Sequence, residues 1–207
     1  MPRAHTTEEL ERIHERLLEA GRERFAKVGL AKVTIADLAL DAGIGKGSFY
    51  KFFESKEDLF LAIQEQQEAA FKQALRAELL RAGSPRQAVV TLLMAAATRL
   101  DAHPFLRLLL DPKTLAELQI RVDPQRLAAH RQSDRDFFVS LVHEGQQQGW
   151  LRETLCAQTV FDVLGAMFMI SVQRELLGPE ATRRATAELA EALAERWCPP
   201  SDPRDKG

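Results

Sequence analysis

The sequence predicts an all-α fold, with an N-terminal three-helix domain built on a helix-turn-helix and a second helical domain after it. Three observations carry this. Apolar residues recur at helical spacing along nearly the whole chain and not in alternation. Breakers such as Gly29, Gly83-Ser84-Pro85, Asp123-Pro124 and Gly178-Pro179 fall between these runs. No stretch shows a strand pattern, an internal repeat or a low-complexity linker.

Met1 to Thr7 reads as a polar, flexible arm. Leu10, Ile13, Leu17, Gly21, Phe25 and Val28 then share one stripe of a helix from about Thr7 to Val28, and Gly29 ends it. Lys32 to Leu59, KVTIADLALDAGIGKGSFYKFFESKEDL, follows. Thr34 with Asp37 three residues on forms a capping box, and Ile35, Leu38 and Ala39 make an apolar face. Ala42-Gly43 stops that helix, and Gly45 to Phe53 makes a second short one. Ser55 with Asp58 repeats the box and opens a long helix to about Arg81. Two short helices around a glycine turn describe a helix-turn-helix, whose second helix can lie in the DNA major groove. The same geometry also serves as an ordinary corner, and spacing alone leaves both readings open.

Pro85 starts a helix to about Asp101 that carries Val89, Leu92, Leu93, Ala96 and Leu100. Phe105 to Leu110 is an apolar turn or two, and Lys113 to Arg121 is a short helix. Asp123-Pro124 opens a long helix to about Gln148, ended by Gly149. Ala157 to Leu177 is apolar on nearly every face, and a helix apolar all round is buried on all sides. It belongs to the centre of the fold or to an interface with a second subunit. A last helix reaches Trp197, and Pro199 to Gly207 is a polar tail.

The chain has 207 residues, 45% of them apolar, so it can bury a sizeable core. A net charge of −2 gives no overall attraction to nucleic acid. The local balance differs: Gly43 to Lys56 holds Lys46, Lys51 and Lys56 against Glu54 alone. Cys156 and Cys198 stand far apart, which argues against a disulfide framework and for a reducing, cytoplasmic setting. The longest apolar run, Val160 to Val172, is too short to span a bilayer.

Competing motifs fail on their own terms. Glu11-x-x-His14 has the spacing of a di-iron ligand pair, but those sites need two such pairs and two further Glu, so it reads as surface. Gly45-Lys46-Gly47-Ser48 misses the phosphate-loop pattern at Leu40 and Gly47. No catalytic triad or metal set has suitable spacing, and no cofactor is expected.

The motif T-I-A-D-L-A-x-x-A-G-I-x-K-G-S-F-Y-x-x-F-x-S-K-E-D-L from Thr34, together with Ala20 to Gly29, resembles the DNA-binding signature of the TetR family of bacterial transcription regulators. The resemblance covers about Leu17 to Ile63. Gly45 stands where the family often has Ser or Thr, and Phe52 where it often has His or Tyr, so a hydroxyl contact and a phosphate contact are in doubt.

The resemblance implies a homodimeric, ligand-responsive repressor that binds palindromic operator DNA. It divides the chain into an arm (1–7), a DNA-binding domain (8–69), a ligand-binding and dimerisation domain (70–198) and a tail (199–207). Lys46, Gly47 and Ser48, opened by Gly45, are expected at base edges, and Thr34, Tyr50, Lys51 and Lys56 at phosphates. Thr34 and Lys56 lie at helix N-termini, which favour anions. Phe49 and Phe53 are expected in the core.

A small-molecule effector would lie among the middle helices, with Met94, His103, Phe105, Phe137, Phe138 and His143 as candidate lining residues. Read from the residues alone, the favoured reading is that these are simply core. The last two long helices would form the dimer through Leu164, Phe168, Val172, Leu189 and Leu193. The competing reading is a helical ligand-binding dimer whose head no longer reads DNA.

Overall fold

Thr6 opens the first helix, accepting from the Glu9 amide while the Glu9 carboxylate accepts from the Thr6 amide at 2.9 Å. The arm expected to run to Thr7 therefore ends one residue earlier, at a capping box that the Thr6-x-x-Glu9 spacing announces. The computed structural model describes residues 6–102, 105, 108 and 112–200, without the side chains of 96 and 99–102. The rest of the arm, His103 and residues 201–207 of the tail lie outside the described residues. Among the described residues the structure is helical, with no strand. No described helix is long and apolar enough to cross a membrane.

The helices are α1 (Thr7–Val28), α2 (Ile35–Asp41), α3 (Lys46–Phe49), α4 (Lys56–Leu80) and α5 (Pro85–Ala102), then α6 (Pro112–Arg121), α7 (Pro124–Gln147), α8 (Ala157–Val172), α9 (Arg174–Leu177) and α10 (Pro179–Trp197). They form two units. One takes the chain up to Ala69 and the described part of 103–129; the other takes Ala70–Ala102 and the chain from His130.

The first unit closes around Leu17, Phe25, Leu38, Phe49, Leu59 and Phe60, all essentially inaccessible. At Gly21, a side-chain carbon would lie 2.7 Å from Ile63 Cδ1 and 3.1 Å from Leu59 Cδ2. The absence of a side chain at Gly21 is what lets α1 approach α4 so closely. Phe105 completes the core, stacked on Phe60 at 4.7 Å and edge-on to Phe25 at 6.5 Å. Leu118 and Val122 join it. The described part of 103–129, assigned from sequence to the second domain, thus packs with the first. Arg126 ties α7 to α4 inside this unit through Glu65 at 2.9 Å and through Asp58.

In the second unit α5 packs against α8 and α10. Leu93, Val142, Val160, Ala190 and Ala194 are fully buried there. The apolar stretch expected to run unbroken from Ala157 to Leu177 divides at Gln173, where φ −87° and ψ 13° leave the helical region. It is not buried on all sides in the single chain either. Gly165 and Ala166 are exposed, and Met169 is 51% exposed. Leu176 and Leu177 are exposed beyond it.

Candidate functional site

The turn between α2 and α3 is set by backbone chemistry. Thr34 accepts from the Asp37 amide at 3.2 Å, and Asp37 accepts from the Thr34 amide at 3.2 Å. At the other end Gly43 has φ +68°, its amide donates to Leu40 O at 3.0 Å, and the Ile44 amide donates to Ala39 O at 2.9 Å. This pair of bonds satisfies the last carbonyls of α2 and needs a left-handed residue, hence glycine. Arg24 on α1 fixes α2 from behind, donating from Nη2 to Asp41 Oδ1 at 2.8 Å and from Nε to Oδ2, with Asp37 3.5 Å away. The Arg24 hydrogen bond holds the Asp41 carboxyl below the usual range. Hydrogen bonds from Thr34, and then the Arg24 charge, do the same for Asp37.

The second short helix is briefer than the Gly45–Phe53 span expected. It is regular only from Lys46 to Phe49 and continues to Phe52 as turns, with Phe52 N donating to Phe49 O at 2.9 Å. Phe49 is buried and Phe53 nearly so, which anchors this segment against the core. Its other side faces water. Gly45, Lys46, Gly47, Tyr50 and Lys51 are exposed and Ser48 is half-buried. Tyr50 rests edge-on against Phe49 at 5.7 Å and is 54% exposed. A side-chain carbon at Gly45 or Gly47 would meet nothing within 4 Å. Neither glycine is required by packing within the chain.

Two of the expected phosphate ligands are engaged within the unit. The Lys56 ammonium donates to Leu30 O at 2.8 Å and to Ala31 O at 3.2 Å, so it bolts the loop after α1 to the start of α4. It is not the open cation expected. The Thr34 hydroxyl donates to Asp37 Oδ2 at 2.6 Å, which leaves it little capacity for a phosphate. The Ser55–Asp58 box is half formed: Ser55 Oγ accepts from the Asp58 amide at 3.0 Å, while the Asp58 carboxylate takes the Glu54 amide and Arg126. His14, read as surface, stacks on Phe53 at 5.2 Å.

The second unit holds an apolar cavity of about 160 Å³, walled by Phe71 and Leu75 of α4, Leu92 of α5, Phe138 of α7 and Phe161 and Phe168 of α8. Leu164, Gly165 and Asp134 complete the lining. Of the described candidate pocket residues only Phe138 borders it. Phe137 packs beside Phe138 at 5.1 Å, with the Lys72 ammonium 5.6 Å from its ring centre. Met94 is a half-buried part of the surrounding core. Phe105 belongs to the first unit's core, and His143 is exposed. Phe71, Phe161 and Phe168 carry the helical-spacing signal that could have found them, but Phe168 reads equally as interface.

Among the candidate dimer residues, Leu164 is buried at 5% exposure and faces the cavity. Phe168, Val172 and Leu193 are half-buried, and Leu189 is 42% exposed.

What this head defines is a helix-turn-helix whose second segment is anchored by phenylalanines and presents lysines and glycines to solvent. Residues 17–63 match the family described as bacterial regulatory proteins, tetR family. The chain is 45% identical over 51 residues to the uncharacterized HTH-type transcriptional regulator YerO of Bacillus subtilis, covering 25% of this chain and 18% of that protein. It is 38% identical over 69 residues to the HTH-type transcriptional repressor NemR of Escherichia coli, covering 33% of this chain and 34% of NemR. The matched part thus spans between about a fifth and a third of these relatives. In fold it is similar to the fatty acid degradation regulator FadR from Bacillus halodurans, with a TM-score of 0.64 at 16% identity over 87% of this chain and 93% of that one.

Proposed function

We propose that the protein is a DNA-binding transcriptional regulator, a cytoplasmic homodimer that represses at a palindromic operator and is released by a small effector. The observation that carries this is the outer side of the segment from Gly45 to Lys51. Lys46 and Lys51 are exposed and make no ion pair among the described residues. Gly47 leaves the backbone bare where nothing in the chain requires it. Cations suit phosphates, and a bare backbone suits close approach to base edges. Lys46, Gly47 and Ser48 read bases; Tyr50 and Lys51 hold phosphates. Thr34 and Lys56 support the head and do not touch the nucleic acid.

A homodimer supplies two heads, which a two-fold operator with half-sites about 34–36 Å apart requires. The exposed apolar residues Met169 and Leu189, with Phe168 and Val172 beside Met169, suit that pairing. Effector bound among α4, α5, α7 and α8 lowers operator affinity, and operator lowers effector affinity by the same factor.

The test is a titration of labelled DNA from upstream of the protein's own gene against a scrambled duplex, at two salt concentrations. Specific binding that survives the higher salt supports a regulator. If a genome-wide selection of bound fragments also enriched no site, the DNA-reading function would be lost and a ligand-binding dimer would remain.

A further inference from the structure

We infer that the effector is a compact, uncharged molecule of about one ring, held between Phe71, Phe138, Phe161 and Phe168. This rests on reading the second unit as the effector-binding part.

Size comes first. The cavity of about 160 Å³ is close to the ~150 Å³ apolar cavities that stay dry and take up benzene, and well below the roughly 300–1,000 Å³ of sites for drug-sized ligands. A long acyl chain has no room there. The adjoining void, on the other side of Leu92 among Val89, Trp150 and Trp197, adds only about 50 Å³.

Shape comes next. Phe138 and Phe161 lie 6.0 Å apart and tilted at 56°, so they offer one ring face and one ring edge. Aromatic guests favour offset and edge-to-face contacts over plain aliphatic packing. Phe161 is held from outside by the Arg135 guanidinium, 5.5 Å from its centre, and Arg135 is itself fixed on Gln158 at 2.5 Å.

Charge decides the rest. Asp134 is the only ionisable residue in the described lining, and the Lys72 ammonium sits 2.6 Å from its Oδ1. Their side chains are only 24% and 16% exposed. The pair is neutral as a whole. A carboxylate or phosphate guest would meet the Asp134 charge and no cation in the described lining, and an ammonium guest would have to displace Lys72. Either would carry an unpaired charge into an apolar space, which is strongly unfavourable. A single polar atom at the Asp134 rim is tolerated.

The test is calorimetric titration of the full chain with toluene, indole, benzoate and dodecanoyl-coenzyme A, with operator affinity read in parallel. Toluene or indole should bind and raise the melting temperature, benzoate should bind at least tenfold more weakly, and the acyl thioester should not bind. Leu92→Trp, which fills the space beside the cavity, should weaken the ring compounds at least tenfold. Should that variant fail to fold, Phe161→Ala serves: its enlarged cavity should gain naphthalene binding that the natural chain lacks.

Benzoate equal to toluene, tight binding of the acyl thioester, or no binding by either ring compound overturns the inference. Ring compounds that bind but leave operator affinity unchanged support the ligand class and overturn the regulatory reading instead.

Discussion

Lys56 and Leu30, 26 positions apart in the chain, meet in one hydrogen bond of 2.8 Å, from the Lys56 ammonium to the Leu30 carbonyl oxygen. The same ammonium reaches Ala31 O. A cation that looks from sequence like part of a DNA-facing patch is therefore spent on the protein's own backbone.

Lys56 and its neighbours should then behave differently on mutation. Lys56→Ala should cost about 1–2 kcal/mol of stability, since hydrogen bonds to a charged donor are worth roughly 1.5–3 kcal/mol and this side chain is 18% exposed. It should leave the salt dependence of operator binding nearly unchanged. Lys46→Ala and Lys51→Ala should each change stability by less than about 0.5 kcal/mol; Lys51→Ala should flatten the salt dependence by about one phosphate contact, and Lys46→Ala should weaken operator binding and relax specificity at one base position. Urea unfolding and anisotropy titrations over a salt series separate the two patterns.

Gly47→Ala should make the protein more stable and a poorer binder at once. Alanine in place of a helical glycine gains up to about 1 kcal/mol in a helix interior, less at the second residue of α3, and the added carbon meets nothing within 4 Å. If the variant gains stability and binds operator as before, the backbone at Gly47 does not approach the DNA.

Acid should loosen the attachment of α2. The Asp37 and Asp41 carboxyls are held below their ordinary range in the folded state, by Thr34 and Arg24 respectively. Their contribution is complete above the unfolded value, about pH 4, and disappears as pH falls through the lowered folded values. Asp41→Asn should therefore show a shallower fall in urea midpoint across that window than the natural chain. Equal slopes would remove Asp41 from the account.

Phe105→Ala should cost about 3–5 kcal/mol, as for other fully packed phenylalanines, because it removes the ring stacked on Phe60. It should leave the affinity of any second-unit ligand unchanged in the folded protein. A change in ligand affinity larger than the change in stability would restore Phe105 to the pocket.

Met169→Glu with Leu189→Glu should give a monomer by light scattering and abolish tight operator binding, since both residues are exposed apolar groups on the single chain. A dimer that persists would place the interface elsewhere.

Local chemistry was the legible part. The Thr34–Asp37 box, the Gly43 stop, Pro85, Pro112, Pro124 and Pro179 each act within four residues, so sequence spacing finds the helices they bound. Thr6–Glu9 was equally readable. The break at Gln173 was not, because no glycine or proline marks it and the apolar run continues past it. Partners across the chain were hidden for a different reason. Periodicity tells which face of a helix is apolar but not which helix will cover it. Phe105 could therefore be placed in a pocket when it stacks on Phe60, and Leu164 at an interface when it borders the cavity.

The return of Phe105, Leu118 and Val122 to the first unit bears on how the head could be transplanted. A fragment cut after Ala69 would uncover the rings of Phe25 and Phe60 and leave Asp58 and Glu65 without Arg126. Grafting this helix-turn-helix head onto another domain therefore requires two crossovers to be carried across together, not a single splice. Chimeras joined at one point inherit an open core, however well the spliced sequence reads.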